Sequence, residues 1–300
     1  MINIRYHVVS LIAVFLALGV GIVVGSTVVK QREVATITDR LNSLENQSKR
    51  TNAQNSALSS FIDQSRDQMV LGRLKHVPVL VIASKGVDTR PLQDLHHQLA
   101  VAEADDHGTL SFTARLALRS PADVAALSAI VGVRSTDADA VRSAALQAVV
   151  RAATGAAPTS TVLNGMLDAH FIEYSPIANG PASLPPTASE TVRIIVASGA
   201  GAEVGDDIVA APFARLLGQT PLGAVAVEPG RDTPGGREVF VGLLRRDKAT
   251  AGRLSTVDDL ETWQGQVATV LAVDDLPRFR YGDYGVAPDA KQLLPAAPTP

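Results

Sequence analysis

The chain has 300 residues, with 27 Lys and Arg against 30 Asp and Glu, a net charge of −3 and no cysteine. Such balance excludes a protein built chiefly to grip the phosphate backbone of nucleic acid, and no nucleic-acid partner is expected. Without cysteine there is no disulfide, thiolate nucleophile, zinc–thiolate site or iron–sulfur cluster.

Residues 1–7 form a short N-terminal tail, and Val8 to Val29 then runs uncharged through VVSLIAVFLALGVGIVVGSTVV. At about 1.5 Å per residue this run spans about 33 Å, enough to cross a bilayer. A cleaved signal peptide would have a shorter apolar stretch and a small-residue cleavage site, so an uncleaved single-pass anchor is expected for residues 8–29. Arg5 flanks one end and Lys30 and Arg32 the other, so charge hardly fixes orientation. Ala17, Gly21 and Gly25 recur every four residues, a stripe that lets two membrane helices approach closely. Gly and Ala are also simply common in such helices.

Residues 30–72 carry a seven-residue pattern with Val34, Leu41, Ser48, Asn55, Ile62 and Met69 at its a positions. Ile37, Leu44, Thr51, Leu58, Ser65 and Gly72 fall at d. Apolar residues open the seam and return at Leu58 and Ile62, with Ser48, Thr51 and Asn55 as a polar waist. No Pro or Gly interrupts Lys30 to Leu71, so one helix of about 60 Å could rise from the membrane. A parallel, homodimeric coiled coil is expected, since copies anchored in one membrane run parallel and Asn at an a position specifies register. The alternative is a single helix lying on the globular domain.

Residues 73–285 change character. His76–Ala83 (HVPVLVIA) reads as a buried strand, followed by a helix capped by Asp88 or Thr89. Thr109–Leu116 alternates like a strand. Ser120 starts a second helix, Thr136 or Asp137 a third, and Asn164 begins a fourth through Phe171. Thr191–Ala197 is a strand-like run before a glycine turn and a helix over Asp206–Leu217. Leu222–Val227 and Glu238–Leu243 are further strand candidates, before a helix over about Thr262–Leu276. The segment 175–190 reads as a flexible loop and 286–300 as a disordered Pro/Ala tail. The fold class is therefore α/β: a transmembrane helix, a parallel coiled coil, then a Rossmann-like mixed or parallel sheet with helices on both faces.

Candidate chemistry is sparse. The turn Ser198-Gly199-Ala200-Gly201-Ala202 sits where phosphate-binding glycines sit, but Val204 stands where the third small residue belongs and no P-loop Lys follows. A tight turn between strand and helix explains it. His96 and His97 diverge by about 100° on a helix; Asp94 could pair with His97. His107 with Glu103, Asp105 and Asp106 is weighed as a divalent site and set aside for a solvated helix end. Soft Cu(I) wants thiolate or thioether, and Met1, Met69 and Met166 are scattered. Asp258 and Asp259 read as a cap on the following helix. No catalytic constellation appears, so no catalytic residue, metal ligand or cofactor is expected and the chain is read as a non-enzyme.

The start INIRYHVVSLIAVFLALGVGIVVGSTVV, the stretch LSTVDDLETWQGQVATVLAVDDL and YGDYG together resemble the actinobacterial MctB family, and the SteB proteins are similar to it. Ser255, Thr256, Val257, Asp258 and Asp259, with Tyr281, Gly282, Tyr284 and Gly285, are the most specific part of a resemblance that runs from Met1 to about Leu294. It implies a cell-envelope protein in copper homeostasis or efflux, with its C-terminal domain extracytoplasmic. It also implies the alternative of a SteB-like dimeric scaffold that works with SteA to regulate a RipA-type, coiled-coil peptidoglycan hydrolase. A third alternative is a degenerate nucleotide-binding fold without activity. One helix makes no pore by itself, and no outer-membrane barrel pattern is visible.

Overall fold

The computed structural model describes residues 4–154, 160–177, 192–229, 240–247 and 253–296, with side chains at 4, 5, 25–39, 59, 62–64 and 160 left aside. The chain divides into two units, Met1–Ile62 and Asp63–Pro300. The described residues of the first unit lie within helix α1 (Ile4–Val70). Within it, Tyr6–Val24 is long and apolar enough to cross a membrane, and every one of its side chains is exposed. An apolar surface of this kind is at home in lipid and not in water.

The second unit holds a seven-stranded sheet in the order β3-β2-β1-β4-β5-β6-β7. Its strands are β1 (Pro78–Ser84), β2 (Asp105–Phe112), β3 (Ile172–Ser175), β4 (Arg193–Ala197), β5 (Ala224–Val227), β6 (Leu254–Val257) and β7 (Asp283–Tyr284). All neighbours are parallel except β2 and β3, so the sheet is mixed. The central strands are apolar at nearly every position because both faces are covered, as parallel sheets require.

One face carries α3 (Pro121–Val131), α4 (Ala138–Ala153), α5 (Ser160–Asp168), α6 (Ala210–Gly218) and α7 (Phe240–Arg245). They pack with Leu80, Ile82, Ile194 and Val196, and Phe112 meets Phe213 edge to face at 5.0 Å. The other face carries α2 (Thr89–Val101) and α8 (Trp263–Asp275) over Val79, Val81, Ile195 and Val225. Val70 and Leu74, both fully buried, join this second layer, so the end of α1 belongs to the core of its own unit. Each fully buried Leu or Phe contributes about 1.5–3 kcal/mol. Asp88, Ser120, Asp137 and Thr262 cap α2, α3, α4 and α8 through their side chains.

Several expectations need correction. Glu238–Leu243 is no strand where it is described: α7 covers its last four residues, because a helix turns Phe240, Val241 and Leu244 together into the core. Short apolar runs do not distinguish the two. The strand expected over Thr109–Leu116 starts at Asp105 and ends at Phe112, and Ala114–Ala117 is a 3₁₀ turn capped by Thr113. Gly108, at φ +79°, marks the point where the register slips against β1. The helix expected to reach Phe171 stops at Asp168, and Phe171 leads instead into β3. The helix expected from Asp206 begins at Ala210. Residues 286–296, read as tail, are tied back instead: Gln292 bridges to Tyr284, and Lys291 N–H donates to the Asp283 carbonyl at 2.9 Å. Most of the loop 175–190 and residues 297–300 lie outside the described residues.

Candidate functional site

The two stretches that carry the resemblance meet around Arg245, the last residue of α7. Its Nε donates to Thr256 Oγ1 at 2.9 Å, Nη1 to Asp258 Oδ2 at 2.8 Å and Asp289 Oδ1 at 2.6 Å, and Nη2 to the Tyr284 carbonyl at 2.7 Å. The Arg245 and Asp258 side chains are 4% and 1% exposed, so this pair is desolvated. Burial alone would lower the Arg245 pKa, but the Asp258 and Asp289 carboxylates outweigh it and hold the pKa above the usual value. Asp258 Oδ1 also accepts from the N–H of Val286 at 2.9 Å and of Ala287 at 3.2 Å. The Thr256 hydroxyl donates a hydrogen bond to Asp283 Oδ1 at 2.9 Å, and Lys291 Nζ stands 2.7 Å from Asp283 Oδ2.

The glycines of this cluster are dictated by space. Gly285 has φ +126°, and a Cβ there would lie 2.3 Å from Asp258 Oδ1. A Cβ on Gly282 would lie 2.5 Å from the Tyr284 ring. Ser255 Oγ accepts from the Gly282 N–H at 3.4 Å, and the Tyr281 hydroxyl donates to the Leu222 carbonyl at 3.3 Å. Val257 is fully buried. The expectation that Asp258 and Asp259 cap α8 is corrected in part: Thr262 is the cap, and its hydroxyl donates to Asp259 Oδ2 at 3.0 Å. The whole motif thus joins β6, β7, α7 and residues 285–292. Arg245 and Lys291 pair with Asp258, Asp283 and Asp289 inside the cluster, an arrangement that suits a latch between these segments.

The glycine turn lies at the topological switch point. From β1 the chain goes to β2 on one side and later returns to β4 on the other, and such crevices are where open α/β sheets bind ligands. Here the two loops fill the crevice themselves. Glu203 N–H donates to the Lys85 carbonyl at 2.8 Å, and a Cβ on Gly86 would lie 2.3 Å from the Gly201 carbonyl oxygen. Beneath them the Ser198 hydroxyl contacts Ser84 Oγ at 2.6 Å and donates to Asp206. Burial, reinforced by Asp207, pushes the Asp206 pKa up to about 6.

His97, Glu103 and Asp105 are exposed at or just past the end of α2, as a solvated helix end requires, but His96, Asp106 and His107 are not. Asp106 and His107 are buried in β2, and His96 bridges Asp106 Oδ2 at 2.7 Å and Thr109 Oγ1 at 2.8 Å. No group of three His, Asp or Glu able to hold a metal occurs among the described residues. Met166 is fully buried and Met69 half-buried.

On α1, the expected partner-facing positions fall as follows. Ala17 is exposed and Gly21 has open space around it. Leu41, Leu44 and Leu58 are each more than half exposed, and Asn55, Ser48 and Thr51 are exposed too. Gly25, Val34, Ile37 and Ile62 lie on the helix, with side chains outside the described residues. Met69 packs against the second core layer of its own unit, so the last a position is used within the chain.

Sequence reasoning missed Arg245, Asp289, Ser84 and Asp206. The signal for Arg245 was available: Asp258, Asp283 and Asp289 need a cation, and the otherwise apolar FVGLLRRD supplies one.

A family model described as "Copper transport outer membrane protein, MctB" matches residues 1–295. Relatives named copper transporter MctB from Mycobacterium tuberculosis and Mycobacterium bovis are 28% identical over 323 aligned positions, covering 98% of this chain and 99% of theirs. A relative of the same name from Mycobacterium leprae is 26% identical over 318 positions.

Proposed function

Since the chain belongs to the MctB family of copper transport proteins, we propose that it acts in copper homeostasis as a membrane-anchored envelope protein. One observation carries this reading: the match to the family and to its copper transporters extends over almost the whole chain. The apolar, exposed Tyr6–Val24 segment supports the anchor. In this reading the N-terminus faces the cytoplasm and the α/β unit lies outside. Copper is cargo here and is not gripped by a soft-ligand site of one chain, because cysteine is absent and Met166 is sealed in the core. A single apolar helix encloses no channel, so movement of copper depends on assembly with other chains. The chain has no enzymatic step of its own.

The test is deletion of the gene followed by complementation. Cellular copper should rise in the deletion strain and return to its former level with the full chain; unchanged copper would sink the proposal.

A second reading is favoured by the exposed apolar residues Leu41, Leu44, Leu58 and Phe61 of α1. Two copies pair through this seam into a parallel coiled coil, forming a dimeric scaffold of the SteB kind that engages a SteA-like membrane protein and a coiled-coil peptidoglycan hydrolase. Sedimentation of the full chain in detergent micelles distinguishes it: a dimer that Leu41→Glu and Leu44→Glu dissociate supports it, and a monomer overturns it.

A further inference from the structure

The two loops that fill the switch-point crevice are held there by few contacts. Among the described residues one backbone hydrogen bond joins them, from the Glu203 N–H to the Lys85 carbonyl at 2.8 Å. Val87 and Val204 are the apolar side chains that anchor them, each in a different core layer. Gly86, at φ +95°, and Gly201, at φ +87°, meet backbone to backbone, since a Cβ on Gly201 would lie 2.7 Å from the Gly86 carbonyl oxygen. Gly86, Gly201, Glu203 and Gly205 are exposed. Segments with so little buried surface are the first to open in a folded protein.

Beneath these loops the fastening is polar. Ser84 follows the apolar run of β1, Ser198 stands just past β4, and Asp206 lies on the loop that leaves it; all three are buried. The Ser198 hydroxyl touches both of the others, so the three side chains tie two strands and one loop together. The Gly199 N–H also donates to Asp206. Among the described residues no cation pairs with this carboxyl group. Asp207 beside it repels, Glu203 on the same loop is acidic, and Glu228 at the end of β5 lies against Gly199. Lys85, from the β1 loop, is held by Glu173 of β3 at 2.6 Å. Arg142 of α4 is tied to Asp139 and to the Leu116 and Ala117 carbonyls, and Arg215 of α6 to Asp247 at 2.6 Å. A buried carboxyl group with such neighbours is stable only while it keeps its proton.

We propose that residues 199–206 are a proton-controlled plug, which seals the crevice between β1 and β4 while Asp206 is protonated and swings outward when it ionises. The ionised carboxylate must either stay buried without a counter-charge or carry its loop to water, and the weakly held loop is what yields. Gly199, at φ +141°, and Gly201 give the backbone the freedom to turn. The place uncovered is the one at which open α/β sheets take ligands, so the plug governs access to it. The device depends on the fold alone and not on the chain's part in copper homeostasis.

Hydrogen exchange followed by mass spectrometry, on the full chain in detergent micelles and corrected for the intrinsic effect of pH, tests this. Burial holds the Asp206 pKa at about 6 in the closed state, against 3.8 when exposed, so the open fraction should grow about tenfold between pH 5 and pH 7.5. Protection of the amides of Ala202 and Glu203 should fall by that factor, with β1 and β4 unchanged. Asp206→Asn, which keeps the shape and removes the charge, should hold the loop protected at both pH values. Ser198→Ala removes a donor to the ionised form, so it should make the fall steeper. Loop protection that does not change with pH, an equal fall in β1 and β4, or an undiminished fall in Asp206→Asn would each overturn the proposal. The comparison of loop with strands in the unaltered chain decides the matter even if a variant does not fold.

Discussion

Arg245 and Asp258 show what a buried pair demands. Each satisfies the other in a desolvated place, so removing one strands a charge and costs about 3–5 kcal/mol. Arg245→Ala should therefore lower the stability of the α/β unit by that amount in urea denaturation, and a loss below about 1 kcal/mol would show that water reaches the cluster. Gly285→Ala should be comparably damaging, because it adds a Cβ against Asp258 and forbids φ +126°. Asp206 behaves in the opposite sense. Its folded pKa, about 6, lies above the ordinary value of 3.8, so its contribution is fully present below pH 3.8 and is lost as pH rises through 6. The loss amounts to about 3 kcal/mol at pH 7.5. Asp206→Asn should therefore raise stability at pH 7.5 and flatten the profile between pH 4 and 7; an unchanged profile would contradict the assigned burial. The need of the carboxylates around Arg245 for a cation was legible, but which residue meets which could not be read from local sequence. The STVDD and YGDYG stretches stood out, but the cation that joins them lay just beyond a run, Glu238–Leu243, that reads as a strand and gives no hint of the helix that aims Arg245 at them.

At the scale of elements, the central strands and capped helices were legible because their signals are local. His76–Ala83 and Thr191–Ala197 are apolar at successive positions, and Ser120 and Asp137 sit where a helix start needs an acceptor. β3 and β7 escaped notice because they are four and two residues long and exist only through pairing with longer neighbours. The heptad pattern of α1 was legible as a pattern, and the structure adds that Leu41, Leu44 and Leu58 are exposed among the described residues while Met69 packs on the core. If the seam pairs, Ser48, Thr51 and Asn55 are its weakest section. Replacing all three with Leu should raise the midpoint of thermal dissociation of the full-chain dimer and suppress binding of any intruding partner helix. Unchanged dissociation and binding would show that this face is not an interface.

At the scale of the molecule, composition excluded chemistry more firmly than it suggested any. Charge balance and the lack of cysteine removed whole classes of site, and the mixed sheet then placed the glycine turn at a switch point whose crevice its own loops occupy. The α/β class could be foreseen from alternating elements, but the strand order could not, since nothing local says that the chain crosses from β2 and β3 to the far side of β1. Residues 286–296 have the widest reach for their length. Asp289 supplies a counter-charge to Arg245, and Val286 and Ala287 donate to Asp258. Three segments distant in sequence, around residues 245, 258 and 289, are therefore fastened at one guanidinium, so loosening any one of them should loosen the other two.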